Sequence, residues 1–383
     1  MHISCPCCFC QTPDDPLIEP KRSPVLNNVV YETEEHARNC VIGTVELVQC
    51  NKCGFVFNIA YNEDLIVYDE TYNNVRNTSP TYDGYLDFLI AMFSEHLSCE
   101  SIVLEIGCGK GEFLRRLSDL VGCKAVGYDT TYYGDAIYNN RVFFYKSYFR
   151  QENDNKKYDM LILRHVLEHV PNPFKFLQEL CNTFLLKKGS HVFVEVPNFE
   201  WILRKGVFYD ITYEHCNYFF SETLANLMTR LGVEVKKVVN VFNEQILLLH
   251  GIYEGDKLVH TPSAAFQGTR YLLDGFRISK RKLIENIRRA KNSCVWGASG
   301  KGVIFLSELP IEIIKKITYI IDINIQKQGK FLPISGKRVD SPDVLKQAKE
   351  ELLVLIMNNI YEKEIRTKLS EMGVNATFLN IFT

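Results

Sequence analysis

A glycine-rich loop between two acidic residues is the most informative chemical pattern in the sequence. An apolar stretch ends at Glu105; Gly107, Gly109 and Gly111 follow, and a later apolar stretch ends before Asp129. Glycines let a backbone turn sharply and approach a ligand closely. A diphosphate would be repelled by the first acid, whereas the cationic methionyl end of S-adenosylmethionine would be attracted. The second acid can accept hydrogen bonds from both ribose hydroxyls. The pattern, with Cys108 inside the loop, predicts an S-adenosylmethionine site.

A second candidate segment follows the apolar stretch that ends at Leu163. Arg164, His165, Glu168 and His169 come directly after it. The carboxyl end of the fourth strand of such a sheet faces the ligand cleft, so we expect these four residues beside the cofactor. The two histidines also have the i, i+4 spacing of a helical metal pair. The metalloprotease order H-E-x-x-H is absent, however, so the cofactor interpretation is favoured.

Four cysteines form two CxxC pairs near the amino terminus. They are Cys5, Cys8, Cys50 and Cys53. Two such turns bring four thiolates around one tetrahedral zinc ion and leave no open position, so the predicted metal is structural. Cys7 and Cys10 form an overlapping CxxC that offers an alternative first pair. A redox role would need only one pair in a thioredoxin-like context.

The elements that must position these residues fall into three parts. Residues 1–80 are loop-rich and carry the cysteines, which predicts a small zinc-binding module. Alternating strand and helix patterns over 81–255 predict a Rossmann-like sheet. With the predicted S-adenosylmethionine loop, this would be a class I methyltransferase domain. A helix-prone segment and a second strand–glycine loop–helix pattern over 256–383 predict a linker helix and a C-terminal Rossmann-like domain. The expected fold class is therefore α/β, with two separate sheets.

Composition excludes several functional classes. The 383 residues carry a net charge of −2 and no basic block, so no nucleic-acid partner is expected. No apolar run approaches the roughly 18 residues of a membrane helix, and the first residues do not form a secretory signal. The 13 cysteines are then expected to be reduced thiols or metal ligands in the cytoplasm.

In the order of these motifs the sequence resembles the sugar C-methyltransferases of deoxysugar biosynthesis. Members of that family have a zinc-binding domain, a methyltransferase domain and a C-terminal Rossmann-like domain. The resemblance covers nearly the whole chain. It rests on the paired CxxC motifs and on segments 105–111, 165–169, 196–199, 213–219, 295–302 and 321–329. The family implies methyl transfer to a carbon beside the ketone of a nucleotide-linked 4-keto-6-deoxysugar.

The resemblance also implies a catalytic segment of the form Tyr-x-Glu-His. Glu214 and His215 match it, whereas Thr212 stands at the tyrosine position and Tyr213 follows one residue late. His215 is the expected base, because its ordinary pKa of about 6.5 lies near cellular pH. Glu214 is expected to orient this histidine or to bind a sugar hydroxyl.

Further tyrosines are candidates for stabilising an enolate oxygen. Tyr213 and Tyr218 are expected to donate hydrogen bonds to it. Tyr72 resembles an upstream active-site tyrosine of the family. Asn198, in the matching segment 196–199, is expected to contact the substrate.

The second glycine loop contains Gly297, Ser299, Gly300 and Lys301 and opens a helix. Backbone N–H groups at such a helix start can bind an anion. The loop is not a Walker loop, because Gly302 follows Lys301. Two interpretations remain open, namely contact with the diphosphate of a nucleotide sugar and a tight turn without a ligand.

Two alternatives to C-methylation follow from the same residues. O- or N-methylation of a sugar or another small metabolite needs less of a base, and the threonine at position 212 keeps it open. A non-catalytic, zinc-stabilised scaffold that binds the cofactor is a third hypothesis. The intact glycine loop and both of its acids favour an enzyme.

Overall fold

The structure is a computed structural model that describes residues 2–68, 79–150, 156–182, 184–255, 269–348 and 350–379. Tyr72 lies outside these residues. The strands are β1 (His2–Ser4), β2 (Gln11–Pro13), β3 (Lys21–Pro24), β4 (Ile42–Val45), β5 (Leu47–Gln49), β6 (Val56–Asn58), β7 (Ile102–Ile106), β8 (Lys124–Tyr128), β9 (Ile137–Tyr138), β10 (Val142–Tyr145), β11 (Tyr158–Arg164), β12 (Leu186–Pro197), β13 (Asn217–Tyr218), β14 (Val233–Val241), β15 (Ile246–Tyr253), β16 (Asn292–Trp296), β17 (Tyr319–Ile321), β18 (Val339–Asp340), β19 (Leu352–Ile356) and β20 (Ala376–Leu379).

The helices connect these strands on both faces of the sheets. They are α1 (Glu34–Arg38), α2 (Pro80–Ser94), α3 (Glu112–Val121), α4 (Pro173–Leu180), α5 (Phe199–Arg204), α6 (Ser221–Thr229), α7 (Thr269–Arg289), α8 (Gly300–Ser307), α9 (Ile311–Lys316) and α10 (Glu362–Glu371). Short 3-10 turns include Leu167–His169 and Phe208–Asp210.

The middle of the chain forms an eight-stranded sheet in the order β14-β15-β12-β11-β7-β8-β10-β9. Strands β12, β11, β7, β8 and β10 run parallel, whereas β15 and β14 join antiparallel at one edge and β9 at the other. The central strands β7, β8 and β11 are mostly apolar, as is usual for a parallel sheet that is covered on both faces. The strand order reverses at β7, which lies between β8 and β11. The predicted class I methyltransferase sheet is confirmed.

The C-terminal part forms a second, five-stranded sheet in the order β18-β17-β16-β19-β20. All of its strands are parallel, and β16 lies between β17 and β19. Ligands of such sheets bind beyond the carboxyl ends of the strands, at the point where the strand order reverses. In this sheet that point is the loop after β16, which is the second glycine loop.

The N-terminal part contacts both larger sheets. Its strand β6 pairs antiparallel with β13, which belongs to the middle part of the chain. Tyr31 forms an isolated bridge with Phe331 of the C-terminal part. The divisions at residues 80 and 255 stay predictions. None of the helices in the described segments is both long and apolar enough to cross a membrane.

The two larger sheets share one cavity of about 650 Å³. Residues that follow β11, β12, β16, β17 and β19 line it, so carboxyl ends of strands from both sheets meet there. Asn27 and Asn28 of the N-terminal part complete the wall. All three parts of the chain therefore contribute to this cavity.

Candidate active site

The first glycine loop leaves β7 in a conformation that only glycine fits. Gly107 and Gly111 both have φ of +75°. A Cβ at Gly107 would lie 2.4 Å from Val166, and a Cβ at Gly111 would lie 2.3 Å from the Phe144 ring. Helix α3 begins directly after Gly111. The loop therefore presents its backbone, and no side chain, at the carboxyl end of β7.

Asp129 ties this loop to the end of β8. Its Oδ2 accepts a hydrogen bond from the Gly109 N–H at 2.8 Å, and its Oδ1 accepts from the backbone and hydroxyl of Thr131. The carboxylate therefore fixes the glycine loop as well as standing where a ribose is expected. Cys108 contributes its backbone to the loop, while its side chain packs against β8 near Gly127.

Glu105 is a buried acid with an open acceptor. Its side chain is 1% exposed, and Oε2 has no hydrogen-bond partner among the described residues. Burial raises the pKa of Glu105 to about 7, against the lowering effect of Arg164, whose Nη1 lies 3.5 Å from Oε1. An orphaned buried carboxylate oxygen suits a cationic ligand group. The residues present thus fit the ammonium end of S-adenosylmethionine.

Arg164 connects Glu105 to a network that the sequence did not reveal. Its Nε donates to Glu195 Oε2 at 2.7 Å, and Tyr85 donates to the other oxygen of Glu195. The guanidinium also lies over the ring of Phe113, 4.3 Å from its centroid. Glu195 and Tyr85 come from β12 and α2, so only the tertiary structure brings them to Arg164.

The loop after β11 lies at the cavity. His165 has a φ of +56°, and its Nδ1 lies 3.2 Å from Oε1 of the buried Glu168. His169 Nδ1 lies 2.9 Å from the carbonyl oxygen of Glu214, which only an N–H can satisfy. His169 therefore carries its proton on Nδ1. The cavity is lined by His165, Glu168, His169 and Glu214.

His215 lies next to this loop on the cavity wall. Its ring is perpendicular to that of His169, with the centroids 5.0 Å apart. Ligand atoms of Glu168, His169 and His215 all lie within 4.8 Å of one another. These three side chains can therefore serve acid–base chemistry or hold a divalent cation. This set differs from the i, i+4 histidine pair that the sequence suggested.

Tyr213 and Tyr218 engage the backbone and do not line the cavity. The Tyr213 hydroxyl donates to the Asn62 carbonyl at 3.1 Å and accepts from the Asn62 N–H at 2.8 Å. The Tyr218 hydroxyl bridges the N–H and carbonyl of Thr212, both at 3.1 Å. Both phenols fix the fold of the segment that holds Glu214 and His215.

Tyr209 lines the cavity and was not singled out from the sequence. It is 1% exposed, and its hydroxyl has no hydrogen-bond partner among the described residues. Its ring packs edge-to-face against Phe208 and Phe305, which holds the phenol in place. Its position was the available signal in the sequence. Tyr209 lies three residues before Thr212, and position 212 is where the resemblance expects a tyrosine.

The second glycine loop forms another wall of the cavity. Gly297 has a φ of +115°, and a Cβ at Gly302 would lie 1.9 Å from the Gly297 carbonyl oxygen. Lys301 reaches across to Asp210 at 2.7 Å and to Gln245 Oε1 at 3.1 Å. The loop residues Gly297, Ser299, Gly300 and Lys301 all line the cavity.

A buried lysine supports this loop and was also missed. Lys327 is 3% exposed and donates to Ser299 Oγ at 2.6 Å and to the Ala298 carbonyl at 3.2 Å. Burial lowers its pKa, which the nearby Asp322 partly opposes. Asn198, in contrast, caps α5 through Trp201 and donates to the Glu244 carbonyl, and it does not line the cavity.

The four predicted zinc ligands lie together. Their sulfur atoms all fall within 4.8 Å, and Cys5–Cys53 and Cys8–Cys50 are each 3.6 Å apart. Thiolates about 2.3 Å from a tetrahedral zinc ion are about 3.8 Å apart, so the spacing fits the metal. Gly54 follows the second pair with a φ of 73°, as the turn requires.

Comparison with known families identifies the two larger parts. Residues 82–238 match the model of a methyltransferase domain, and residues 261–379 match the model of a C-methyltransferase C-terminal domain. No curated protein matches the chain. With the glycine loop and its acids, these matches make the chain an S-adenosylmethionine-dependent methyltransferase.

Solved structures resemble part of the chain at low identity. An S-adenosylmethionine-dependent methyltransferase of Mesorhizobium loti is 12% identical over 44% of this chain and 99% of its own, with a TM-score of 0.34. Magnesium protoporphyrin IX methyltransferase of Synechocystis, with bound S-adenosylhomocysteine, is 14% identical over 45% of this chain and 83% of its own, with a TM-score of 0.36. At these scores neither supports a statement about substrate or mechanism.

Proposed function

We propose that the protein transfers a methyl group from S-adenosylmethionine to a carbon beside the ketone of a nucleotide-linked 4-keto-6-deoxysugar. The observation that carries this proposal is the shared cavity, which His215 and the loop 297–302 both line. One space therefore offers a base and an anion-binding loop. The match to a C-methyltransferase C-terminal domain supports transfer to carbon.

The size and charge of the cavity support a nucleotide sugar. Its volume of about 650 Å³ falls within the range of small-molecule sites, about 300–1,000 Å³. Helix α8 starts in the second glycine loop, and the N-terminal end of a helix attracts an anion; the Gly300 N–H there donates to Asn28 Oδ1 at 3.3 Å. Lys301 and Lys327 add positive charge to the same wall, which Asp210 and Asp322 beside them partly balance. A diphosphate is the substrate group that this wall suits.

His215 is the proposed base. It removes the proton α to the ketone, and the electron pair of that C–H bond moves toward the carbonyl oxygen, which becomes an enolate oxygen. Glu214 orients the histidine, and its carbonyl fixes His169. S-adenosylmethionine, when bound, supplies the electrophilic methyl group that the enolate carbon takes up.

Cofactor binding is proposed at the first glycine loop. Glu105 would accept from the ammonium group, Asp129 from the ribose hydroxyls, and Arg164 would hold Glu105 in place. We further propose a structural zinc ion in an N-terminal module, residues 1–80, ahead of a methyltransferase domain, 81–255, and a C-terminal domain, 256–383.

The test is an assay with methyl-labelled S-adenosylmethionine and a panel of nucleotide-linked 4-keto-6-deoxyhexoses. We expect a product with the new methyl group on carbon, located by mass and NMR, and loss of deuterium from that carbon. A methyl group on oxygen or nitrogen, with the deuterium retained, would instead support the alternative reaction.

Treatment with a chelator tests whether the cavity histidines act in acid–base chemistry or bind a metal ion. If His215 is a base, dialysis against EDTA leaves turnover unchanged as long as elemental analysis shows that the cysteine cluster keeps its zinc. Loss of turnover that added Mg²⁺ or Mn²⁺ restores would assign Glu168, His169 and His215 to a metal ion instead.

A further inference from the structure

The segment before His215 carries a tyrosine hydroxyl that no hydrogen bond among the described residues accounts for. Tyr209 is almost fully buried, yet its hydroxyl has no hydrogen-bond partner among the residues the structure describes. Leaving a buried hydroxyl unpaired costs about 1–3 kcal/mol. Tyr213 and Tyr218, in the same segment, each satisfy their hydroxyl with backbone groups. Tyr209 is therefore the exception that needs an explanation.

The cavity supplies that explanation. Tyr209 lines the same space as Thr212 and His215, at intervals of three residues along one segment. Its ring is held by Phe208 and Phe305, so the hydroxyl has a fixed position before any ligand arrives. Thr212 accepts a hydrogen bond from Asn27 Nδ2 at 2.7 Å, so its side chain has a structural contact. A preorganised donor at a cavity wall suits a ligand oxygen that gains charge.

We infer that Tyr209 donates a hydrogen bond to the carbonyl oxygen of the substrate as it becomes an enolate, in the place of the tyrosine that this chain lacks at position 212. This inference rests on the proposed function. When His215 takes the α proton, the carbonyl π electrons move onto oxygen, and the Tyr209 O–H stabilises that charge without giving up its proton. The methyl acceptor remains the carbon.

The chemistry of the phenol fits a donor rather than a base. Burial raises the pKa of Tyr209 well above its usual value, and the neighbouring Asp210 raises it further. The hydroxyl thus stays protonated at neutral pH. The base must be another group, which leaves that role to His215.

The test uses Tyr209→Phe with the full-length protein and thymidine diphosphate 4-keto-6-deoxyglucose as the first probe. Exchange of the α hydrogen in D₂O, with S-adenosylhomocysteine present, reports enolisation separately from methyl transfer. We expect both exchange and methylation to fall by about 10²–10³, the usual effect of losing one oxyanion donor. The KM for the ketosugar and the affinity for S-adenosylhomocysteine should change less than about threefold.

Thermal unfolding distinguishes the proposed role of Tyr209 from a structural one, because the two roles predict opposite changes in Tm for Tyr209→Phe. Removing an unpaired buried hydroxyl should leave Tm unchanged or raise it, whereas Tyr218→Phe should lower Tm because its hydroxyl bridges Thr212. Tyr158→Phe, on β11 at the end of the sheet away from the cavity, is the matched control and should keep wild-type exchange.

The outcomes separate this inference from the function on which it rests. If wild type and Tyr209→Phe exchange the α hydrogen equally fast, the role of Tyr209 is overturned and the proposed function is not. A lower Tm with unchanged exchange does the same. A wild-type enzyme that methylates a sugar without exchanging any α hydrogen overturns both.

Discussion

The Nδ1 atom of His169 lies 2.9 Å from the carbonyl oxygen of Glu214, so the loop after β11 and the segment before β13 meet at the cavity wall. The contact fixes the backbone that presents His215. It also joins residues of the cofactor side to residues proposed to act on the substrate. Because this contact uses the backbone of Glu214, replacing the His215 side chain should leave it in place. Catalysis should therefore depend on the His215 side chain more than folding does.

His215→Ala tests this dependence directly. We expect turnover to fall by roughly 10²–10⁴, the usual worth of a general base, with little change in cofactor affinity. Steady-state methyl transfer and calorimetry with S-adenosylhomocysteine measure the two effects. His36→Ala, an exposed histidine on α1, is the control. Near-normal turnover of the variant would make His215 structural and favour O- or N-methylation.

Asp129 should contribute to cofactor affinity in two ways. Asp129→Ala removes the proposed ribose contacts and also frees the Gly109 N–H that now donates to Oδ2 at 2.8 Å. We expect a loss on the order of 2–3 kcal/mol in binding S-adenosylmethionine, from two hydrogen bonds to a charged group. Asp129→Asn keeps one acceptor and should lose less. Equal affinity for wild type and both variants in calorimetry would remove Asp129 from the site.

Glu105 should make cofactor binding depend on pH. Its pKa of about 7 means that the free carboxyl takes up a proton as the pH falls below neutral, while a cationic ligand needs the ionised form. The affinity for S-adenosylhomocysteine should therefore fall as the pH drops from 7.5 to 6, by at most about tenfold per unit. Glu105→Gln should bind more weakly and flatten the profile. A wild-type affinity that is constant over this range would contradict the proposed contact.

The cysteine cluster should bind about one zinc ion per chain. Four thiolates with sulfur separations of 3.6 Å already have the spacing of a closed tetrahedral site. Elemental analysis of freshly purified protein measures the content. Cys53→Ser should release the metal, whereas Cys10→Ser, outside the four, should retain it. Zinc-free wild-type protein, or loss of zinc only in the Cys10 variant, would refute this assignment.

Sequence patterns were most informative where structure is local. The strands before Glu105 and Gly297 and the turns after them follow from apolar runs and glycine spacing within a few residues. The directions of side chains in irregular segments were not predictable. Packing against distant elements determines where each phenol lies. Tyr209 packs against Phe305 and lines the cavity, whereas Tyr213 packs against Tyr61 and does not.

Long-range partners were also beyond reach of the sequence. The pairing of Arg164 with Glu195 and Tyr85 joins three separate elements, and neither spacing nor composition marks it. The shared cavity likewise depends on how two sheets face each other. Single-sequence patterns describe each sheet but carry no signal for that arrangement.

The pairing of β6 with β13 gives the N-terminal module a role beyond its own stability. Strand β6 follows the second cysteine pair closely, and β13 begins with Asn217, two residues after His215. Losing the metal would loosen β6, and through it the segment that presents the proposed base, while the methyltransferase sheet stays folded. On this arrangement, removing the proposed zinc ion should lower methyl transfer before it lowers cofactor affinity, so the metal would control product formation from outside the catalytic sheet.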